Sequence, residues 1–297
     1  MEKIGFIGLG IMGKPMAKNL VKAGYPLVVF DVVPEPVKEL VAAGARAARS
    51  AREVTEASDV VITMLPNSPH VREVVLGKAG VLEGARSGLV YVDMSSIDPM
   101  VAREVEAEVK KKGIVMLDAP VSGGEPKAID GTLAIMVGGP AAAFERVKPI
   151  LLKMGASAVL VGDIGSGNVA KLANQIVVAL NIAAMSEALV LATKAGVDAE
   201  KVYQAIRGGL AGSTVLDAKA PMVLARNFKP GFRIELHIKD LANALSAAHA
   251  VGAPIPLTSQ IMEIMQALKV EGREKEDHSS VVHFYEKLAN VEVKKKS

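Results

Sequence analysis

Ile4-Gly5-Phe6-Ile7-Gly8-Leu9-Gly10-Ile11-Met12-Gly13 is the stretch on which the fold turns. A short apolar run leads into glycines spaced G-x-G-x-x-G, and a helical pattern follows over residues 11–23, closed by Gly24. Strand, glycine turn and helix in that order make a seat for a pyrophosphate: Gly8 permits the tight turn, Gly10 lets backbone approach the phosphates, and Gly13 lets helix and strand pack closely. The helix start adds amide N–H groups and a dipole that favour an anion. A purely structural turn is the other reading of these glycines. Asp31 closes the next strand, at about the 20-residue spacing a dinucleotide-binding unit uses. A carboxylate there accepts from both adenosine ribose hydroxyls and repels a 2′-phosphate, or else it simply caps the strand end. Val32-Val33-Pro34 follow without an arginine, which favours NAD(H) and leaves NADP(H) open through a cation from elsewhere.

Outward from that stretch, short apolar runs alternate with helical ones as far as Gly162. The runs are Ile4–Ile7, Leu27–Phe30, 60–64, 89–92, 114–117 and 134–137, each bounded by Gly, Pro or Asp. Near-continuous apolar strands of this kind belong to a parallel sheet covered on both faces. The amphipathic segments 36–43 and 100–112 lie between them, which gives right-handed βαβ units and a doubly wound α/β sheet of Rossmann type. After Gly165 the pattern changes. Residues 168–195 form an Ala/Leu/Val/Ile run without Pro or Gly that ends at Gly196, roughly 40 Å of helix at 1.5 Å per residue. Further helical stretches cover 199–207, 238–251 and 256–269. The expected organisation is a Rossmann domain over residues 1–163 and, joined by the long helix, an all-helical substrate and oligomerisation domain over 164–297.

Composition bounds the function. Half of the 297 residues are hydrophobic and 23% are charged, so the chain can bury a core. The net charge is +3, from 35 basic and 32 acidic residues, and 3% of residues are aromatic, which argues against a nucleic-acid partner. Lys294-Lys295-Lys296 reads as a solvated tail. With no cysteine, a disulfide scaffold, a zinc-thiolate site and a cysteine nucleophile are excluded together. Met1-Glu2-Lys3 runs straight into the first strand, so no signal peptide is expected. The apolar runs are expected to fall short of a bilayer span, and the protein to be soluble and cytoplasmic.

Chemistry in the second half centres on Gly165-Ser166-Gly167-Asn168-Val169-Ala170-Lys171-Leu172-Ala173-Asn174. Lys171 and Asn174 share a helix face at i, i+3, and Asn181 falls near it. In apolar surroundings Lys171 must snorkel outward, pair with a carboxylate or face a cleft; a desolvated ammonium is also a competent general acid near neutral pH. Ser122-Gly123-Gly124 follows a strand ending near Leu117-Asp118 and is either an ordinary turn or a set of amides for a carboxylate. His237, Lys239 and Asp240, with Phe232 nearby, form a third polar group. His237 is a lesser candidate for general acid, since a lone histidine is more often structural. The five histidines are scattered without metal-ligand spacing, so no metal is expected.

Taken together, the glycine loop with Phe6 and Ile7, the segment Asp118-Ala119-Pro120-Val121-Ser122-Gly123-Gly124, residues 165–174 and Lys239-Asp240 closely resemble the β-hydroxyacid dehydrogenases over nearly the whole chain. Residues 64–71, 124–133 and 205–213 are similar to the branch of that family that reduces 2-hydroxy-3-oxopropanoate to D-glycerate. The resemblance implies an NAD(P)-dependent enzyme in which Lys171 protonates the nascent alkoxide while the nicotinamide delivers hydride. It further implies that Ser122, Gly123, Gly124 and Asn174 hold the substrate. Gly8, Leu9, Gly10, Ile11, Met12, Gly13, Asp31, Met64, Leu65, Pro66, Ser96, Phe232, Lys239 and Asp240 are then the cofactor contacts. A related short acid, 3-hydroxyisobutyrate or the 4-hydroxybutyrate/succinic semialdehyde couple, is the alternative substrate. A non-catalytic NAD(P)-binding scaffold is the alternative of another class. So much apolar surface on the long helix points to a homodimer or homotetramer.

Overall fold

The computed structural model describes residues 1–295 and divides into two compact units, Met1–Lys171 and Leu172–Ser297. In the first, nine strands form one sheet: β1 (Ile4–Ile7), β2 (Leu27–Phe30), β3 (Arg46–Ala47), β4 (Val60–Thr63), β5 (Val90–Asp93), β6 (Val115–Asp118), β7 (Val121–Ser122), β8 (Leu133–Gly138) and β9 (Gly155–Gly162). The order β3-β2-β1-β4-β5-β6 is parallel throughout, successive strands being added outward first on one side of β1 and then, from β4, on the other, and the crevice at that switch is where such folds seat dinucleotides.

Alternate residues of each strand feed two separate cores, one per face. Phe6, Val29, Ile62, Val92 and Leu117 join the first, with Met16 and Leu20 of the helix Gly13–Lys22. Ile7, Val28, Val61, Tyr91 and Met116 join the second, with Val101, Val105 and Val109 of the helix Pro99–Lys110. That period of two is why runs that are apolar at every position read as strands buried on both sides.

Beyond β6 the sheet is no longer all parallel. β8 runs antiparallel to both β6 and β7, and β9 then pairs parallel to β8. β9, residues 155–162, is mostly exposed although Ala158 to Val161 form a short apolar run.

The second unit is helical apart from one isolated bridge, Arg233 to Asp277, among the described residues. Its core gathers Ala179, Ile182, Met185 and Leu189 of the long helix Ser166–Lys194 with Tyr203, Leu216, Ile234, Leu241, Ile261 and Met265. The helix Ile234–Val251 begins four residues before the apolar pattern suggests, and Thr214–Leu224 carries Pro221 in its interior, a residue that hides a helix from pattern reading.

One expectation is overturned. The long helix has 29 residues and a mean hydropathy of 2.0 over its most apolar window, so by length and composition it could cross a bilayer. At the C-terminus, Lys294 pairs with Glu292 and Lys295 with Glu200, while Lys296 of the expected basic tail lies outside the described residues.

Candidate active site

The parallel register places Ile7 beside Thr63, so the turns leaving β1 and β4 meet. A Cβ on Gly8 would sit 2.3 Å from the Met64 carbonyl oxygen, and one on Gly13 would sit 1.9 Å from the carbonyl oxygen of Gly8. Neither position can carry a side chain without moving backbone. Gly10 differs: a Cβ there would meet nothing within 4 Å. The opening lies at the turn where a diphosphate would be cradled against the helix start, so these residues fit an NAD(P) dinucleotide.

Asp31 ties this turn to the end of β2. Its Oδ2 accepts from the Leu9 amide and its Oδ1 from Val33 N at 2.8 Å. Both readings of Asp31 survive, because each carboxylate oxygen retains a further lone pair for a ribose hydroxyl. Leu65 N donates to Ser95 Oγ at 2.8 Å, which joins the Met64-Leu65-Pro66 turn to the segment holding Ser96. Gly8 to Gly13, Asp31, Met64 to Pro66 and Ser96 thus gather along one edge of the first unit's sheet.

Beneath that edge lies a carboxylate that pattern reading passed over. Asp93, at the end of β5, is fully buried, and its Oδ1 accepts from Thr63 Oγ1 at 2.8 Å and Ser95 N at 3.1 Å. Its Oδ2 has no partner. Burial pushes its pKa up to about 6, against the pull of Ser95 and Thr63. It reads in sequence as the last residue of a strand, and no local signal marks it.

Ser122 ends β7, and the next two residues need left-handed backbone, with φ of 139° at Gly123 and 68° at Gly124. The helix Gly124–Asp130 starts there, so the turn presents its amides at a helix N-terminus. Lys171 lies early in the long helix and is 6% exposed. That burial removes the option of snorkelling into bulk solvent.

Asn174, Phe232, Lys239 and Asp240 belong to the second unit. Asn174 Nδ2 donates to Gln175 Oε1 at 2.9 Å, and Gln175 Nε2 donates to Asp240 Oδ2. Asp240 Oδ1 pairs with Lys239 Nζ at 2.9 Å. Gln175, 4% exposed, is the link that sequence reasoning missed; it lay in an apolar run with nothing to say which carboxylate it would meet.

His237 is fully buried, with Nε2 at 3.1 Å from the Gln175 carbonyl and Nδ1 at 3.0 Å from His278 Nδ1. A carbonyl only accepts, so Nε2 carries the hydrogen and Nδ1 accepts from His278. Phe232 meets the His237 ring edge-on and the His278 ring at a tilt, at 5.7 and 5.4 Å, and its amide donates to the buried Asp277 at 3.1 Å. Both nitrogens of His237 are therefore spent within the protein, as a structural histidine's are.

Residues 3–162 match the family described as the NAD binding domain of 6-phosphogluconate dehydrogenase. Residues 165–285 match the family described as NAD-binding of NADP-dependent 3-hydroxyisobutyrate dehydrogenase. The chain is 47% identical over 288 residues to 2-hydroxy-3-oxopropionate reductase of Escherichia coli (strain K12), covering 97% of this chain and 98% of that one. It is 39% identical to 2-(hydroxymethyl)glutarate dehydrogenase of Eubacterium barkeri, over 98% and 97% of the two chains. Among solved structures, Mycobacterium tuberculosis 3-hydroxyisobutyrate dehydrogenase with L-serine matches with a TM-score of 0.90 at 38% identity, over 96% of this chain and 99% of that one.

Proposed function

The chain belongs to the β-hydroxyacid dehydrogenase family, and on that premise we propose that it reduces 2-hydroxy-3-oxopropanoate reversibly to D-glycerate with NADH. The observation that carries the substrate is the 47% identity, across nearly the full length of both chains, to the Escherichia coli reductase. The nicotinamide, when bound, supplies the hydride. Lys171 Nζ gives the proton to the oxygen that becomes the new hydroxyl, and takes it back in the reverse direction. Its burial serves that role, since an ammonium held out of bulk water acts on one oxygen rather than being levelled by solvent. Ser122, Gly123, Gly124 and Asn174 hold the substrate's carboxylate and hydroxyl, for which amides at a helix start suit a small anion. Lys239, paired with Asp240, is assigned to the cofactor in this reading by the family resemblance.

NADH is preferred in this reading because Asp31 ends β2 and the apolar Val32 and Val33 follow, 88% and 49% exposed, where a 2′-phosphate would need a cation. Residues 1–163 form the cofactor domain and 164–297 the substrate and oligomerisation domain. The protein is a soluble cytoplasmic homodimer or homotetramer. Lys171, Asn174, Gln175, Asn181, Ser186 and Glu187 interrupt the long helix with polar groups that a lipid span would bear only at high cost.

A second reading, 3-hydroxyisobutyrate as the substrate, is favoured by the TM-score of 0.90 to the Mycobacterium enzyme. A methyl more or less is worth only about 1–3 kcal/mol in an apolar pocket, so family members can exchange short acids readily, whereas a pocket that hydrogen-bonds the second hydroxyl separates these two acids more sharply. The test is steady-state NADH oxidation with the semialdehydes of tartronate, methylmalonate and succinate in parallel. A kcat/KM about tenfold or more higher for the tartronate compound is expected. Equal or better efficiency on another aldehyde, or no turnover on any of the three, overturns the named substrate.

A further inference from the structure

We propose that Asp118, acting with Asn168, is the positioning residue that aims Lys171, by fixing the start of the long helix to the strand from which the Ser122 to Gly124 loop departs. This rests on the reading of Lys171 as proton donor.

Asp118 is the last residue of β6 and is fully buried. Its Oδ1 accepts from Gly165 N at 2.7 Å, and its Oδ2 accepts from Asn168 N at 2.7 Å and Asn168 Nδ2 at 3.2 Å. The first amides of a helix have no acceptor within the helix, and a residue just ahead of it normally supplies one. Here the acceptor comes from a strand about 50 residues back in the chain, and it is a carboxylate at the positive end of a 29-residue helix.

Asn168 passes the connection on. Its Oδ1 accepts from Ile97 N at 3.0 Å, beside Ser96, and Lys171 follows on the same helix face at i, i+3. One buried pair thus joins three segments: the Ser96 turn, the strand leading to Ser122, and the helix turn bearing Lys171.

The packing around the pair leaves no slack. A Cβ on Gly138 would lie 2.4 Å from Asp118 Oδ1, and one on Gly167 would lie 2.5 Å from the Asp118 carbonyl oxygen. Burial raises the Asp118 carboxyl above its ordinary range, and the donors from Asn168 and Gly165 oppose that rise. A fully buried carboxylate is costly, and a stable strand end does not require one. Its use is geometric: two oxygens take three N–H groups at once, which an amide cannot do.

The test compares D118N with wild type on whichever semialdehyde wild type turns over best. The side-chain amide of that variant would accept one backbone N–H and turn its own NH2 on the other. The expected result is a fall in kcat of about 10²-fold with the KM for NADH within about threefold, since a misplacement near 1 Å costs on that order. A kcat within about twofold of wild type overturns the proposal.

Should D118N fail to fold, N168A decides. Alanine suits a helix, so this variant keeps the helix and the backbone N–H bond to Asp118 while losing the side-chain bonds to Ile97 and Asp118, and its kcat is expected to fall about tenfold. An unchanged kcat again overturns the proposal. If wild type turns over no aldehyde, the substrate reading fails instead. The positioning is then read from the titration midpoint of 13C-dimethylated Lys171 by NMR. A shift of about half a unit or more in D118N supports it, and an unmoved midpoint refutes it.

Discussion

Lys171 shows what a residue type can and cannot say by itself. In sequence it is a cation in an apolar run, which must snorkel, pair or face a cleft. The structure leaves it 6% exposed. Lys171→Ala is expected to lower kcat by about 10³-fold, within the range for loss of a general acid. NADH affinity, measured by fluorescence titration, should stay within about twofold, because the dinucleotide edge is built from other residues. A variant retaining most of its kcat would show that the proton comes from elsewhere. The glycines at 8 and 13 were legible one by one, since each answers a steric demand of the turn. Asp93 and Gln175 were not, because what singles them out is a neighbour brought from another element.

At the scale of elements, the end of β5 holds the group with the clearest acid–base consequence. Asp93 has a folded pKa of about 6 against an ordinary 3.8, so the native state binds its proton more tightly than the unfolded chain does. Its contribution to stability is complete below about pH 4 and is lost as pH rises through 6, a swing of roughly 3 kcal/mol at most. Asp118, also raised, acts in the same direction. Asp277, whose pKa is lowered despite burial by His278 and Lys219, loses its contribution only as pH falls below 3.8. The melting temperature of wild type relative to Asp93→Asn should therefore decline between pH 4.5 and 7. A constant difference across that window would mean that Asp93 does not titrate there.

The parallel strands were readable as elements because burial on both faces demands apolar residues at every position. β9 was passed over although Ala158 to Val161 is an apolar run, and β7 was missed because two residues carry no period. The start of the long helix was readable only as glycines, since its acceptor, Asp118, arrives from a distant strand.

Over the whole molecule, the long helix carries the remaining question. Asn168, Leu172, Gln175, Ala179, Ile182, Ser186 and Leu189 are buried in a stripe at helical spacing. Val169, Ala173, Val177, Ala184 and Leu191 form an exposed apolar set on the same helix, with Val177 59% and Leu191 71% exposed. We attribute that surface to contact with a second copy of the chain. Val177→Glu with Leu191→Lys should reduce the light-scattering mass to that of a 31.0 kDa chain while leaving the far-ultraviolet circular dichroism unchanged. A wild type already monomeric at working concentration would refute the attribution.

The sequence alone determined that a glycine turn opens a doubly wound sheet, that a long apolar helix follows, and that one lysine in that helix lies where it must be accounted for. Each is a local demand, of backbone conformation, of periodic burial or of a charge among apolar neighbours, and local demands are written in adjacent residues. Tertiary structure alone decided that Asp118 caps the Lys171 helix, that Asp93 lies under the cofactor edge with one oxygen unpaired, and that His237 is held by His278 and Gln175. These pairings join residues about 40 to 70 positions apart, and only the folded backbone brings such partners within hydrogen-bonding distance.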